Sequence, residues 1–330
     1  MISRNTLTNG AGMILVTGAT GFVGRAVIEL LIERGCSVRA AMRYADGFTA
    51  AGASVVTVGD LSAQTDWSAA LAGVETVVHA AARVHVMQEA AADPLLEFRR
   101  INVQGTLQLA RQAAAGGVRR FVFISSVKVN GEATQPGHSF TADDVPAPLD
   151  AYGISKMEAE QGLREVAAQT GMEVVIIRPP LVYGPGVKAN FQAMMRWLIR
   201  GVPLPLGAIN NRRSLVALDN LVDLIVTCVD SPAAANQTFL VSDGEDLSTT
   251  QLLQRMGRAL GKPARLIPVP STLLKLGAAL LGKPAIAQRL CGSLQVDISK
   301  TRQLLGWNPP VSVDAGLKKA AEGYLREATV

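Results

Sequence analysis

Cysteine is scarce. The 330 residues hold only Cys36, Cys228 and Cys291, far apart and with no CxxC pair. A disulfide framework is therefore not expected, and a reducing, cytoplasmic setting is. The three histidines form no ligand motif, so no metal site is predicted. Aromatic rings are few as well, with 8 Phe, 4 Tyr and 3 Trp, too few to favour stacking on unpaired bases. Charge of either sign is modest. The excess of +5 suits an anionic ligand without indicating nucleic acid. No apolar run reaches the length of a membrane span: the longest candidate, 269–282 (VPSTLLKLGAALLG), carries Lys275 and is closed by Lys283-Pro284. It reads as a buried or surface-lying helix. Residues 1–12 lack the apolar stretch of a signal peptide and read as a loose leader.

What is present is apolar and periodic. Hydrophobic residues make up 48% and charged residues 18%, which excludes disorder. The length suits two domains at about 150 residues each, or one large one. Strand-like runs at 13–19, 37–43, 54–60, 76–82, 120–126 and 173–179 alternate with helical stretches at 22–34, 66–72, 94–115 and after Ala151. Such alternation predicts an α/β fold, a doubly wound parallel sheet with helices on both faces. After Pro179 the pattern changes. Residues 180–214 are rich in Pro, Gly and Asn with one helix near 190–200. Then come a strand and helix at 215–229, a strand at 237–243, and a mostly helical remainder. The expected division is a dinucleotide-binding unit of 13–179 plus about 214–243, and a smaller, discontinuous substrate unit of about 180–213 plus 244–330.

Three motifs carry chemistry. Gly18-Ala-Thr20-Gly21-Phe22-Val23-Gly24 follows a strand and opens a helix. Its glycines permit a tight turn and close approach of backbone to a pyrophosphate at the helix N-terminus. At the end of the second strand, Met42 stands where an acid would bind an adenosine ribose, and Arg43 follows. A cation there suits a 2′-phosphate, so NADP(H) is favoured and NAD(H) remains possible. Asp60, in GDL with Leu61, could accept a hydrogen bond from an adenine amino group. Finally, Tyr152 and Lys156 share a helix face at i, i+4, and Ser126 closes a parallel strand at the edge where open α/β sheets place their crevice. A nearby ammonium should lower the phenol's pKa and make Tyr152 a usable proton donor or acceptor.

These residues resemble the extended short-chain dehydrogenases/reductases of the NAD-dependent epimerase/dehydratase kind. Further markers are HAAA (79–82), Asn102, RPPLVYGPG (178–186), RRSLVALDNLVDL (212–224) and DISKTRQLLGW (297–307). The resemblance implies Ser126, Tyr152 and Lys156 as the catalytic set, Tyr152 and Lys156 also touching the cofactor. The glycine turn would cradle the pyrophosphate, with Ala80, Ala81 and Ala82 lining the cofactor and Pro179 beside the nicotinamide. Ser126, Lys128, Asn190 and Arg213 would meet the substrate, Arg213 at its diphosphate. Val127 and Lys128 replace the Asp-Glu pair of dehydratases, which disfavours dehydration. SSVKVNGE (125–132) and NRRSLVALDN (211–220) resemble UDP-sugar 4-ketoreductases of O-antigen synthesis. The expected function is reduction at C4 of a UDP-linked 4-keto-6-deoxy-N-acetylhexosamine, of the N-acetylquinovosamine or fucosamine type. The alternative is a UDP-hexose 4-epimerase, on glucose or N-acetylglucosamine, with tightly held NAD; a non-catalytic dinucleotide sensor ranks third. In the resembling family the two long helices pair across a two-fold axis. Because Leu95, Leu96, Phe98, Leu107 and Leu109 cannot all face one sheet, a homodimer through 94–115 and 151–170 is expected.

Overall fold

The computed structural model describes residues 12–44, 51–84 and 93–327. The leader, apart from Gly12, lies outside them. Seven parallel strands form the main sheet: β1 (Met13–Thr17), β2 (Val38–Met42), β3 (Ala53–Thr57), β4 (Val74–His79), β5 (Arg120–Ile124), β6 (Glu173–Arg178) and β9 (Thr238–Leu240). Their order is β3-β2-β1-β4-β5-β6-β9. Strand order reverses between β1 and β4, and it is at such a switch point that α/β sheets open a crevice.

The core occupies both faces of this sheet. α1 (Phe22–Glu33) and α7 (Leu218–Asp230) pack one face through Val27, Ile28, Leu31 and Leu221. α2 (Ser68–Leu71), α4 (Thr106–Ala115) and α5 (Ala151–Thr170) cover the other through Leu71, Leu109 and Leu163. Gly35, at φ 79°, ends the first helical run as its sequence predicts. The stretch 94–115 is helical throughout but not uniform. α3 (Pro94–Phe98) passes into a π segment, Arg99–Gly105, before α4. Its apolar residues are mostly used within the chain: Leu109 is buried in the core, Leu107 lies against Gly162 of α5, and Phe98 is buried beside Tyr152. Of the five residues offered for a dimer face, only Leu96 is exposed.

Beyond β6 the sequence expectation missed a second sheet. β7 (Leu181–Tyr183) pairs with β8 (Arg213–Ala217), which pairs with β10 (Asp246–Leu247). β7 is three residues long, too short for its pattern to stand out among Pro and Gly. β8 joins this small sheet, whereas α7 and β9, from the same 214–243 stretch, pack on or join the large one. A third core of Tyr183, Phe191, Met195, Leu215, Leu253 and Leu317 ties the small sheet to α6 (Ala189–Ile199), α8 (Thr249–Ala259) and α12 (Val313–Glu327). α9 (Ser271–Leu280), α10 (Pro284–Cys291) and α11 (Ser299–Leu305) complete the C-terminal part. α9 has no buried residue, so the apolar run lies on the surface. Among the described residues no helix is long and apolar enough to cross a membrane.

Candidate active site

After β1 the chain turns through Gly18 at φ 67°, and the Gly21 N–H donates to the Gly18 carbonyl (2.8 Å). A Cβ on Gly18 would sit 2.8 Å from the Ala81 nitrogen, and one on Gly24 would sit 2.2 Å from the Gly18 oxygen. Both contacts exclude a side chain, so turn, α1 and the Ala80–Ala81 segment approach backbone to backbone. Gly21 caps α1 without a side chain, leaving first-turn N–H groups without a side-chain acceptor. Thr20 is exposed, Phe22 and Val23 are half-buried, and Ala80, Ala81 and Ala82 line the same edge half-buried. This cradle fits a dinucleotide pyrophosphate.

Below it lies a buried polar chain. The Thr17 hydroxyl meets His79 Nδ1 (2.7 Å), and His79 Nε2 meets Thr106 (2.9 Å). Burial, with Lys156 nearby, lowers the His79 pKa to about 3, so the ring is neutral. Asn102, in the π segment, holds the Arg83 backbone at both ends of its amide (2.8 and 3.0 Å) and donates to Ser155 (3.1 Å). Ser155 donates to the Tyr152 carbonyl (2.8 Å). Asn102 thereby fastens the segment after β4 to the first turn of α5. Leu61 packs against Gly105 of that segment, where a Cβ would come within 2.6 Å.

Asp150 caps α5 by accepting from the Gly153 N–H (2.7 Å), which fixes the first turn carrying Tyr152. The phenol neighbours the Ser126 side chain. Its ring stands edge-on to Phe98 at 5.9 Å. Ser126 is itself placed by β5: the Ser125 N–H donates to the Ile177 carbonyl (2.7 Å) and the Val127 N–H to that of Pro179 (3.0 Å). Lys156, one turn on, is buried, donates to the Ile124 carbonyl (2.8 Å), and lies 4.3 Å from the Phe123 ring centre. Burial lowers its pKa to about 7, against the pull of Glu160. The expectation that an ammonium lowers the Tyr152 pKa is corrected here. Loss of water contact and the nearby Asp150 charge raise it to about 12, with only the Ser126 hydrogen bond opposing. Lys156 spends its ammonium on a carbonyl instead.

Sequence reasoning missed the anchor beneath. Glu160, wholly buried, accepts from Ser125 (2.6 Å) and from two nitrogens of buried Arg178 (2.9 and 2.6 Å). Arg178 also donates to Asn130 (3.1 Å). The signal was available: Tyr152, Lys156 and Glu160 recur every four residues along one face.

The outer residues are less committed. Arg43 and Asp60 lie 3.9 Å apart with side chains 71% and 68% exposed. Lys128 pairs with Asp150 and, at 3.4 Å, with Glu132. Asn190 is exposed beside Ala189, whose φ of 56° is unusual for a residue with a Cβ. Arg213 donates to the carbonyls of Arg289 (2.9 Å) and Gly292 (3.3 Å), and has no ion pair among the described residues.

The sheet order, the glycine cradle at the switch point and the Ser–Tyr–Lys edge define an enzyme of the extended short-chain dehydrogenase/reductase type. The chain belongs to the NAD dependent epimerase/dehydratase family, whose pattern matches residues 14–242. It is 50% identical over 319 residues to a UDP-glucose 4-epimerase of Vibrio cholerae, covering 95% of each chain. Among solved structures it resembles MoeE5 in complex with UDP-glucuronic acid and NAD, with TM-score 0.76, 25% identity, 96% of this chain and 100% of that one. It also shares the fold of a Thermotoga maritima UDP-glucose 4-epimerase with UDP-glucose, with TM-score 0.75, 24% identity, 96% of this chain and 100% of that one.

Proposed function

We propose that the protein is a UDP-hexose 4-epimerase that keeps its NAD bound between turnovers. The observation that carries this reading is half-identity, end to end, with the Vibrio cholerae UDP-glucose 4-epimerase. The site agrees with it. Epimerisation at C4 needs one proton-handling group and one hydrogen bond to the same oxygen, and the nearness of Tyr152 to Ser126 supports these two in those roles.

A bound nicotinamide dinucleotide supplies the acceptor for the C4 hydride and later returns it. The rest falls to the protein. Ser126 hydrogen-bonds the C4 oxygen. Tyr152 must first give up to solvent the phenolic proton that burial and Asp150 hold on it. As the phenolate it takes the hydroxyl proton as the C4–H bond breaks and the ketone forms. After the keto sugar has turned over, Tyr152 gives the proton back as the C4–H bond re-forms on the other face. Stabilising charge on that oxygen is where such a site gains most. Lys156 is placed to meet the cofactor ribose once drawn from the Ile124 carbonyl. Gly18, Gly21 and Gly24 hold the pyrophosphate and Pro179 flanks the nicotinamide. Arg213 turns from its two carbonyls to the diphosphate, with Lys128 and Asn190 nearby. Residues 13–179, with α7, β9 and the α11 that packs on β9, make up the dinucleotide unit, and the small sheet with α6, α8 to α10 and α12 makes up the sugar-nucleotide unit.

The 4-ketoreductase expectation ranks second. It rests on SSVKVNGE and NRRSLVALDN and, more mildly, on Met42 and Arg43 as a mark of NADP, but Arg43 faces Asp60 in an exposed pair, and MoeE5 holds NAD. A two-fold dimer through α3 to α5 belongs to the same reading, although its apolar face is narrower than the sequence suggests.

Incubation with UDP-glucose or UDP-N-acetylglucosamine, without added cofactor, tests the proposal. The 4-epimer should accumulate with no net change in reduced nicotinamide. Failure to interconvert either pair, with NADPH consumed one for one on a UDP-4-keto-6-deoxy sugar, reverses the ranking.

A further inference from the structure

The C-terminal part carries an unusual charge pattern. Between Asp246 and Asp297 there is no acidic residue at all, while seven arginines and lysines fall in the same stretch. One of them, Arg255, pairs with Glu245 and Asp314. The other six, Arg258, Lys262, Arg265, Lys275, Lys283 and Arg289, are all exposed and have no ion pair among the described residues.

In the middle of this basic stretch lies an uncovered apolar face. α9 and α10 pack against each other, and α9 touches the third core through Leu274. Leu273, Leu276 and Leu280, at spacing i, i+3, i+7, form one stripe of α9 pointing away from that core. Leu276 is 59% exposed, Leu280 82%, and Leu281, just beyond the helix, 77%. Ile267 and Ile286 are exposed nearby. Four exposed leucines on ten helical residues and the turn after them exceed the scatter of single apolar residues normal on a surface. At ten residues α9 is far too short to cross a bilayer.

We propose that the α9–α10 hairpin docks on the surface of an anionic phospholipid bilayer. The leucine stripe enters the boundary between headgroups and acyl chains, and the hairpin's own cations, Lys275, Lys283 and Arg289, meet the lipid phosphates. A second copy of the chain is a poorer occupant. A two-fold contact sets each patch against itself, which opposes the hairpin's Lys275, Lys283 and Arg289 to their copies, with no acid in 271–291 itself. The proposal is independent of the catalytic reading, since it uses no residue of the candidate active site.

Co-sedimentation of the full chain with vesicles tests it. The protein should pellet with vesicles of phosphatidylglycerol and phosphatidylcholine, stay largely in solution with phosphatidylcholine alone, and be released by high salt. Leu276→Glu with Leu280→Glu should abolish pelleting while leaving the thermal midpoint unchanged, because both side chains are exposed. Lys275→Gln and Lys283→Gln should each weaken it roughly fivefold. A wild-type chain that stays in solution, pellets equally with both vesicles, or pellets undiminished in the leucine variant overturns the proposal. So does a fall in solution mass on the leucine substitutions, which would assign the patch to contact between copies.

Discussion

The inner and outer shells of the candidate site are built differently. Inside, every polar group named is spoken for: His79 between two threonines, Asn102 across three partners, Glu160 between Ser125 and Arg178. Outside, Arg43, Lys128 and Arg213 hold exposed acids or carbonyls that a bound ligand could displace. The inner groups are fixed by partners from several elements, and the outer ones rest on contacts that a ligand could replace. That suits a family in which the dinucleotide chemistry is common and the sugar varies.

Breaking the inner shell should have the largest effects. Tyr152→Phe keeps the ring against Phe98 and removes the proton carrier. Turnover should fall by about 10²–10⁴-fold, the usual worth of acid–base catalysis, with dinucleotide affinity nearly unchanged. Near-normal turnover removes Tyr152 from its role. Arg178→Met leaves buried Glu160 with only Ser125 and the partly exposed Arg164, and should cost about 3–5 kcal/mol in urea unfolding. A loss within the scatter of surface mutations would show that the pair is not structural.

His79 gives a pH signature of the same shell. Its pKa is depressed to about 3 in the fold and is ordinary when unfolded. The unfolded chain therefore gains a proton below about pH 6.5 that the fold refuses. Stability from this group is full above that pH and is lost as pH falls toward 3. Between pH 7 and 5 the loss should be about 2 kcal/mol. His79→Asn removes it, so the gap in thermal midpoint between wild type and variant should narrow on acidification. A gap that widens contradicts a buried neutral ring.

The outer shell should respond more weakly and in binding alone. Arg213→Ala should raise the KM for a UDP-sugar roughly tenfold, the worth of one charge-assisted hydrogen bond, with little change in thermal midpoint. A lower midpoint at unchanged KM would make Arg213 only a tie to the Arg289 and Gly292 carbonyls.

The same division sets what the sequence could reveal. The dinucleotide cradle needs backbone proximity, and only glycine allows it at positions 18 and 24, so the motif is visible in one dimension. Tyr152 and Lys156 are legible because one helix carries both. The four-residue spacing puts Glu160 on the face of Tyr152 and Lys156, but its partner Arg178 comes from β6, and nothing local announces that pairing. The Tyr152 pKa departs from the expected lowering because helical spacing says nothing about burial, and because Asp150, not Lys156, is the charge that acts on the phenol. The small sheet was missed because β7 and β10 are shorter than a pattern can register and β8 pairs across long distances.

The most direct test follows the hydrogen at C4. In the proposed reaction it leaves and returns within one enzyme molecule, held in a site that never exchanges it with water. UDP-glucose carrying deuterium at C4, incubated with the enzyme in ordinary water, should yield 4-epimer that retains the deuterium at C4. Epimer that has lost it to solvent would contradict the account.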